Sequence, residues 1–210
     1  MARIVITSGP TRQYIDPVRY LSNASSGQMG RCLAEAALEM GHEVVIISGP
    51  VNIQYPQSAT VIDVVSTRDM LAAAMSQVDQ CDGIIGAAAP CDYQPENVAD
   101  HKIRKTGETL TIDLVETQDV MAAVGQIKSD AQWSVGFALE TDDARFRALT
   151  KLQKKNCDLV VLNGVSAIDS PENSVEIIAP DGSVIESASG SKPEVARFIL
   201  NVIQSRLIDD

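Results

Sequence analysis

Short apolar runs rich in Val and Ile alternate with segments of helical periodicity along most of this chain, and this alternation constrains the fold more than any other feature. The runs show no apolar–polar alternation, which predicts strands that are buried on both faces. Strands of that kind belong to parallel sheets, because the connecting helices cover both sides. The predicted strands are Ile4–Ile6, Val44–Ile47, Val61–Val65, Gly83–Gly86, Ser134–Ala138 and Asp158–Leu162.

The segments between these runs place apolar residues at helical spacing. The predicted helices are Met29–Met40, Asp69–Val78, Val120–Ile127 and Asp143–Lys154. Gly41 stands where a glycine commonly ends a helix. Repeated strand–helix–strand units close as right-handed parallel crossovers. We therefore predict an α/β fold, a Rossmann-like doubly wound and mostly parallel sheet.

The C-terminal part has a different pattern. Two short runs, Ser174–Ile178 and Ser183–Glu186, flank Pro180-Asp-Gly182, which predicts an antiparallel hairpin. An amphipathic helix over Pro193–Leu207 follows. With 210 residues, 45% of them apolar, and no repeat or linker, the chain is expected to form one domain over residues 1–210.

The charge composition excludes a general nucleic-acid binder, because the net charge is −11 and such proteins need a surplus of cations. Nearly half of the basic side chains nevertheless fall in three short stretches, where they can serve an anionic small ligand. These cations are Arg12, Arg19, Lys102, Arg104, Lys105, Lys151, Lys154 and Lys155.

The cysteines and the hydropathy bear on location and metal binding. Cys32, Cys81, Cys91 and Cys157 show no CxxC spacing, and the two histidines lie far apart in sequence, so no protein metal cage is expected. Unpaired cysteines fit a reducing compartment. No apolar run reaches the length of a membrane span, and Arg3 leads directly into a strand without a signal peptide. The expectation is a cytoplasmic protein without a membrane partner.

The segment between the first strand and the first helix is unusually long. A dinucleotide site would place GxGxxG in a short turn there, whereas Gly9 stands alone and Gly27 follows a long polar loop. This spacing favours phosphate binding over redox chemistry. Ser25 and Ser26 at the helix start offer donors to an anion, although one of them could simply cap the helix.

A second ligand segment, Ala87–Tyr93, leaves the carboxyl end of the fourth strand, the edge at which ligands gather in open α/β sheets. Its small residues allow a base or sugar to approach the backbone. Asp92 could hold Mg²⁺ or a hydroxyl group, or it could cap a turn with Tyr93. Cys91 has no neighbouring base and is interpreted as a packing residue.

Two further groups of cations could face a ligand. Lys102-Ile-Arg-Lys105 precedes a turn at Thr106–Glu108, and the alternation of Leu110, Ile112 and Leu114 then predicts an exposed or edge strand. Lys151 and Lys155 share one helix face at i and i+4. Either group could equally be a solvated surface.

Seven motifs taken together resemble the phosphopantothenate–cysteine ligases of coenzyme A biosynthesis, and the resemblance extends from Arg3 to the last helix. Asn23–Gly27 and Lys102–Lys105 are its most specific parts. In many bacteria this domain is fused behind a flavin-dependent decarboxylase, so the chain would be a free-standing ligase or one half of a bifunctional protein. The motifs are Ile6–Arg12, Asp16–Asn23, Ser25–Gly30, Ala87–Tyr93, Lys102–Lys105, Val135–Thr141 and Lys151–Asn156.

The resemblance implies a two-step ligation. The carboxylate of 4′-phosphopantothenate attacks the α-phosphate of a nucleoside triphosphate, usually CTP, giving an acyl-nucleotidyl intermediate and pyrophosphate. The amine of cysteine then displaces CMP and forms the amide. Mg²⁺ and cations would offset the repulsion between the anions. ATP in place of CTP stays open.

Site residues follow from the same resemblance. Asn23 and Lys102 would be catalytic, and Asp92 would lie beside the nucleotide, where its carboxylate is the candidate Mg²⁺ ligand. Arg19 would reach the substrate of a neighbouring subunit, so a homodimer with shared active sites is implied. The substrate would contact Asn23, Arg19, Ala88, Ala89 and Asp92. The nucleotide would contact Gly9, Ser25, Ser26, Gly27, Ala88, Asp92, Lys102, Gln118, Asp119, Val120, Met121, Phe137, Lys151 and Lys155.

Some positions depart from the family pattern, and other function classes need separate tests. Glu116 and Gln118 replace a common lysine and proline, which leaves the identity of the nucleotide open, and Gln28 and Ala24 also differ. An NAD(P)-dependent reductase would need a Tyr-x-x-x-Lys pair, and none of the tyrosines has a lysine four positions later. A non-catalytic nucleotide sensor with the same fold is the third hypothesis.

Overall fold

The computed structural model describes residues 1–139, 144–163 and 172–209, and the regular elements below belong to these ranges. The strands are β1 (Arg3–Ser8), β2 (Arg12–Asp16), β3 (Arg19–Ser22), β4 (Glu43–Ser48), β5 (Thr60–Asp63), β6 (Gly83–Gly86), β7 (Tyr93–Pro95), β8 (Leu114–Glu116), β9 (Trp133–Leu139), β10 (Leu159–Asn163), β11 (Glu172–Ile178) and β12 (Val184–Ser191). The helices are α1 (Gln28–Glu39), α2 (Thr67–Val78), α3 (Val120–Ile127), α4 (Ala144–Lys155) and α5 (Lys192–Ile203), which continues into a π-helical turn (Gln204–Ile208).

The central sheet has eight strands in the order β12-β11-β10-β9-β6-β1-β4-β5. The pairs from β5 to β10 are parallel. Numbered along the chain, these six strands run 3-2-1-4-5-6, the order of a Rossmann sheet. All six predicted strands are confirmed. The expected burial on both faces is wrong for Thr60–Asp63, because β5 is the edge strand and three of its four residues are exposed.

Helices cover both faces of the sheet, as predicted for a doubly wound fold. On one face α1 and α5 pack on an apolar cluster that includes Ile6, Leu33 and Ile199. On the other face α2, α3 and α4 enclose a second cluster around Val5, Met70 and Val160. Strands with both faces buried need unbroken Val and Ile, which is the pattern in the sequence.

The predicted end of α1 at Gly41 is confirmed. Gly41 has φ +85°, its N–H donates to the carbonyl of Leu38 (3.0 Å), and His42 N–H donates to the carbonyl of Ala37 (3.1 Å). These two bonds form a Schellman motif, which requires a left-handed residue that glycine adopts without strain.

The C-terminal hairpin is also confirmed, with β11 and β12 antiparallel and longer than predicted. Because β11 pairs antiparallel with β10, the hairpin extends the parallel sheet at one edge. The last helix begins at Lys192, one residue before the prediction. Ser191 and Glu194 form a capping box at its start.

Two segments differ from the predictions. The polar loop after β1 contains an antiparallel hairpin, β2–β3, whose turn is closed by Asp16 Oδ1 accepting from the N–H groups of Val18 and Arg19 (both 2.9 Å). The strand predicted from the alternation of Leu110, Ile112 and Leu114 is wrong over most of its length. Only β8 forms there, starting at Leu114 and pairing with β7.

Candidate functional site

Two adjoining cavities open at the carboxyl ends of β1, β6 and β9. This is the point at which the strand order reverses, because the chain builds outward from β1 in one direction and returns through β6 in the other. Ligands of doubly wound sheets bind at such a switch point. The cavities measure about 240 and 390 Å³, and both are lined by Ala88 and Phe137. Together they are large enough for a nucleotide-sized ligand.

The first cavity faces the N-terminus of α1. Gly27 is the N-cap with φ +76°, and within the described part of the chain no side-chain hydrogen bond caps this helix start. The interpretation of Ser25 or Ser26 as the cap is therefore wrong. Uncapped N–H groups and the positive end of the helix dipole favour an anion at this position. The described residues lining this cavity are Ala24, Ser25, Ser26, Gly27, Gln28, Met29, Gly30, Ala87, Ala88, Ala89, Phe137, Ala138, Asn163, Asn173 and Lys192.

Buried hydroxyl groups support the turn before α1 from below. Ser8 Oγ donates to the carbonyl of Gly27 (3.2 Å), Tyr55 Oη donates to Ser8 Oγ (2.9 Å), and Ser48 Oγ lies 2.9 Å from Tyr55 Oη. Gly30 cannot carry a side chain, because a Cβ there would lie 2.2 Å from Ser8 Oγ. This chain of hydroxyls fixes where the helix start stands relative to β1.

The segment after β6 is held against the β1–β2 connection by threonine hydroxyls. Cys91 N–H donates to Thr11 Oγ1 (2.8 Å), while Thr67 Oγ1 (3.1 Å) and Thr117 Oγ1 (2.7 Å) donate to the Cys91 carbonyl. Thr11 and Thr67 also bond to each other at 2.8 Å. Because both backbone groups of Cys91 are satisfied, the position of the next residue, Asp92, is well determined.

The side chain of Asn23 rests on the same segment. Its Nδ2 donates to the carbonyls of Ala89 (3.3 Å) and Pro90 (2.9 Å), while the residue stays exposed. The sequence predicted Asn23, Ala88 and Ala89 as substrate contacts, and the structure brings these three residues together beside the first cavity. Ala89 N–H in turn donates to the Gly9 carbonyl (2.9 Å), which ties the predicted Gly9 to the same place.

The second cavity holds most of the remaining predicted nucleotide contacts. Asp119 caps α3 by accepting from Ala122 N–H (3.0 Å), and its Oδ2 lies 3.1 Å from Lys155 Nζ. A bound phosphate would compete with Asp119 for this ammonium group. The described residues lining this cavity are Thr7, Thr67, Gly86, Ala88, Pro90, Cys91, Asp92, Tyr93, Glu116, Thr117, Gln118, Asp119, Val120, Met121, Gly136, Phe137, Lys154 and Lys155.

The lysines of α4 are placed partly as expected. Lys155 lines the second cavity, and so does Lys154, which the sequence placed among the grouped cations but not among the nucleotide contacts. Lys151 is not among the described residues that line either cavity. It lies one helical turn before Lys155, toward the start of α4. The beginning of the predicted helix at Asp143 and the end of the Val135–Thr141 motif lie outside the described residues.

The carboxylates of the second cavity could hold a magnesium–nucleotide complex. Within the described ranges no three His, Cys, Asp or Glu side chains converge as a metal cage. Asp92 is exposed at the cavity. One carboxylate fits Mg²⁺, which usually takes one or two protein carboxylates together with phosphate oxygens and water.

Cys91 behaves as the packing residue that was predicted. Its thiol is buried, and burial raises the pKa of that thiol, so the reactive thiolate is disfavoured at neutral pH. All four cysteines are free thiols, as the spacing indicated.

The basic segment, Lys102–Lys105, is hydrogen-bonded to the turn of the β2–β3 hairpin. Asp16 Oδ2 accepts from Ile103 N–H (3.1 Å), and Arg19 donates to the Ile103 carbonyl (2.5 Å) while its Nε lies 3.5 Å from Asp16 Oδ2. Lys102 is therefore fixed beside Arg19 through its neighbour Ile103. Lys102 is exposed, and neither it nor Arg19 is among the described residues that line the two cavities.

Several site residues were missed in the sequence. Thr11, Thr67 and Thr117 hold the Ala87–Asp92 segment, yet each looks like an ordinary polar residue near a strand end. Asn163 and Asn173 reach the first cavity from β10 and β11. Asn163 could have been found, because it follows the sixth predicted strand at the ligand-binding edge.

Comparisons with known proteins identify the family of the chain. A family model described as the DNA/pantothenate metabolism flavoprotein C-terminal domain matches residues 1–207. The coenzyme A biosynthesis bifunctional protein CoaBC of Bacillus subtilis is 42% identical over 205 residues, 95% of this chain and 50% of that protein. The chain spans about half the length of the curated relatives it matches.

Solved structures share the fold. A crystal structure of the C-terminal domain of a CoaBC protein superposes with a TM-score of 0.85 at 40% identity, covering 99% of this chain and 96% of that one. Cab2 H337A in complex with phosphopantothenate-cysteine gives a TM-score of 0.79 at 16% identity, with 97% and 85% covered, and supports the fold alone. Over the described ranges, none of the helices combines the length and apolarity that a bilayer crossing needs.

Proposed function

Because the chain belongs to the family of the DNA/pantothenate metabolism flavoprotein C-terminal domain, we propose that it joins 4′-phosphopantothenate to cysteine in coenzyme A biosynthesis. The family comparison gives the pathway, and the CoaBC relatives are described as bifunctional proteins of that pathway. The single structural observation that carries the proposal is the meeting of the uncapped α1 N-terminus, Asn23 and the Ala87–Asp92 segment at one switch-point cleft.

The proposed reaction has two steps. In the first, the substrate carboxylate attacks the α-phosphorus of CTP, and the bond from that phosphorus to the bridging oxygen breaks, releasing pyrophosphate. In the second, the cysteine amine attacks the acyl carbon and CMP leaves, with one proton lost from the nitrogen. ATP is the alternative triphosphate, since Glu116 and Gln118 line the second cavity where the family commonly has other residues.

Asn23 is assigned to the activated acyl group. Its amide donates to two backbone carbonyls in the free protein and stays exposed, so a substrate oxygen can take over one of these bonds. A neutral donor stabilises an oxygen that gains charge during acyl transfer and cannot itself attack the acyl carbon. Ala88 and Ala89 leave room for this substrate beside the backbone.

The phosphates are assigned to the cleft between α1 and α4. Gly27 and the N–H groups that follow it supply uncharged donors, and Lys154 and Lys155 supply positive charge at the second cavity. Asp92 would hold Mg²⁺ on the triphosphate. When bound, that ion would screen the phosphate charges and draw electrons from the phosphorus.

The basic segment and Arg19 are assigned to a neighbouring subunit in a homodimer. Neither Arg19 nor Lys102 lines the cavities of its own subunit, although the resemblance places Arg19 at a neighbouring subunit's substrate and Lys102 at the nucleotide. A two-fold dimer would carry both of them into the partner's cleft. A flavin-dependent decarboxylase, either fused to this chain or associated with it, is the proposed partner and would correspond to the other half of the bifunctional relatives. The proposed location is the cytoplasm.

Pyrophosphate release tests the function. The protein would be incubated with phosphopantothenate, cysteine and Mg²⁺, with CTP or ATP added in turn, and both pyrophosphate and the amide product measured. Release that requires phosphopantothenate, with stoichiometric CMP or AMP, is the expected result. Nucleotide binding without release would support the sensor hypothesis, and hydride transfer from NADPH without release would support a reductase.

A further inference from the structure

The proposed function assigns no role to the residues that form one wall of the first cavity. Asn173 on β11 and Lys192 at the start of α5 line this cavity beside Asn163, on the side formed by the antiparallel edge of the sheet. The other side is the N-terminus of α1. The cavity therefore combines backbone donors on one side with amides and an ammonium group on the other.

The register explains why these residues meet. Asn163 is the last residue of β10 and pairs with Val175, so Asn173 extends two residues beyond the end of β10. Residues two apart on a strand share a face, and Val175 packs in the cluster under α1 and α5. Asn173 therefore lies on the face of the sheet that carries α1. The β12 strand then returns to α5, which begins with Lys192.

The side chain of Asn173 is buried and incompletely satisfied. Only 4% of the residue is exposed, and its Oδ1 has no hydrogen-bond partner in the described ranges. The same holds for Asn163 Oδ1. Leaving a buried polar group unsatisfied costs about 1–3 kcal/mol. Two such amides on one cavity wall indicate that a polar ligand completes their hydrogen bonds.

We propose that Asn173 and Lys192 form the subsite that binds the pyrophosphate part of the nucleoside triphosphate. This inference rests on the proposed function, and it extends the phosphate site from the α1 N-terminus to the opposite wall. The unpaired atom of Asn173 is an acceptor, so the amide must turn over to bind a phosphate. Its terminal torsion is broad and nearly two-fold, and half a turn exchanges Oδ1 with Nδ2 and points N–H donors toward phosphate oxygens. Lys192 adds the positive charge that this cavity otherwise lacks among its described lining residues.

The subsite matters most in the first chemical step. When the bond between the α-phosphorus and the bridging oxygen breaks, its electron pair goes to pyrophosphate, whose negative charge increases. Donors and a cation already in place around that group stabilise the charge as it develops. Asn173 and Lys192 would thus be binding residues for the leaving group, separate from Asn23 at the acyl group.

Direct binding of magnesium pyrophosphate tests the inference. Calorimetric titration would compare the unsubstituted protein with Asn173→Asp, which keeps the size of the side chain and adds a negative charge. Like charges across a binding site oppose each other strongly, so we expect the Kd for pyrophosphate to rise about tenfold or more. Affinity for CMP should stay unchanged. Asn201→Asp, on the exposed part of α5, is the matched control.

A second variant tests the inference in case Asn173→Asp does not fold. Lys192 is only half-buried, so Lys192→Gln should fold normally and weaken pyrophosphate about threefold or more, as expected for a lost phosphate-binding cation. The inference is overturned if both variants bind pyrophosphate as the parent does, or if the parent binds none. The ligase assay distinguishes the two proposals. If the parent protein catalyses the ligation but neither substitution changes the Kd for pyrophosphate, only the subsite is refuted and the proposed function stands.

Discussion

At the scale of single residues, the site depends on side chains that hold backbone in place as much as on side chains that face the ligand. Asn23 is proposed to do both, since its amide bonds to the carbonyls of Ala89 and Pro90 while the residue remains exposed. Tyr55 supports the backbone indirectly: its hydroxyl donates to Ser8 Oγ, which in turn donates to the carbonyl of Gly27. Substitutions at these two positions should therefore have different consequences.

Replacing Asn23 by Asp should separate the two chemical steps. The carboxylate cannot donate to the acyl oxygen, so kcat for amide formation should fall about a hundredfold, the usual effect of losing one such donor. The nucleotide should still bind, because its assigned contacts lie elsewhere. Rapid-quench measurement of pyrophosphate and amide formation would show the first product without the second.

The exposed Asn201→Asp variant controls for the added charge. An Asn23→Asp variant that forms the amide at the parent rate would contradict the role assigned to this residue.

Replacing Tyr55 by Phe should lower stability through the hydroxyl chain. The ring is kept, but the hydrogen bonds to Ser8 Oγ and Ser48 Oγ are lost, and one such bond contributes about 1 kcal/mol to the free energy of unfolding. Urea titration would measure the change. Tyr14→Phe, whose residue is 38% exposed, should show none. Equal stability of both variants would mean that the chain of hydroxyls does not support the turn.

At the scale of secondary structure, the sequence predicted an element correctly where the residues of that element alone determine its conformation. Val44–Ile47 and Val120–Ile127 were predicted correctly because unbroken β-branched residues and helical spacing leave little choice. The β2–β3 hairpin was missed because its strands are short and polar, and its turn depends on the Asp16 side chain. The pairing of β7 with β8 joins distant parts of the chain, which no local pattern reveals.

The same limit applies to the site. Ser25–Gly27 and Ala87–Asp92 were found because strand ends and helix starts have recognisable spacing. Asn173 could not be found in this way, since it reaches the cavity only through the register of β11 on β10. The placement of Lys102 likewise depends on contacts of Ile103 with a hairpin almost ninety positions earlier.

The contact between the hairpin and the basic segment should be sensitive to acid. Burial raises the pKa of the Asp16 carboxyl, but N–H donation from Val18, Ile103 and Arg19 outweighs it, so the net shift is downward from 3.8. A lowered pKa contributes stability that is present above the unfolded-state pKa and is lost as the pH falls through the folded-state value.

We therefore expect Asp16→Asn to lower the free energy of unfolding at pH 7, and the difference from the parent to shrink below the unfolded-state pKa of about 4. Urea titrations at a series of pH values between neutral and 3 would measure it. Asp130→Asn, at an exposed position, is the control. A difference that stays constant over this range would show that the Asp16 charge does not anchor the segment.

At the scale of the whole molecule, the grouped cations do not all meet in one subunit. Of the grouped cations, Lys154 and Lys155 line the second cavity, whereas the first cavity is lined by Lys192, which lies outside those groups. Arg12 instead stacks on the ring of Tyr20, with 4.5 Å from its guanidinium carbon to the ring centroid. Arg19 and the basic segment are held together by Asp16 and Ile103. For the basic segment and Arg19 to reach the same anionic ligand as Lys154 and Lys155, a second subunit would have to contribute them.

Hybrid dimers test that requirement. If Arg19 acts in the neighbour's site and Asn23 in its own, mixing Arg19→Ala with Asn23→Asp subunits creates heterodimers with one intact site. Random pairing makes half of the dimers mixed, so the mixture should regain about a quarter of the parent activity. Each variant alone should stay inactive. No recovery after confirmed subunit exchange would count against shared sites.

The link between Arg19 and Lys102 allows a sharper version. Because Arg19 donates to the carbonyl of Ile103, the residue that follows Lys102, Lys102 should act in the same neighbouring site as Arg19. A heterodimer of Arg19→Ala and Lys102→Gln then has one defect at each site, and the mixture should stay inactive. If Lys102 acted in its own subunit, both defects would fall on one site and the other would be intact. Recovery to about a quarter of the parent activity in this mixture would therefore place Lys102 at its own subunit's cleft.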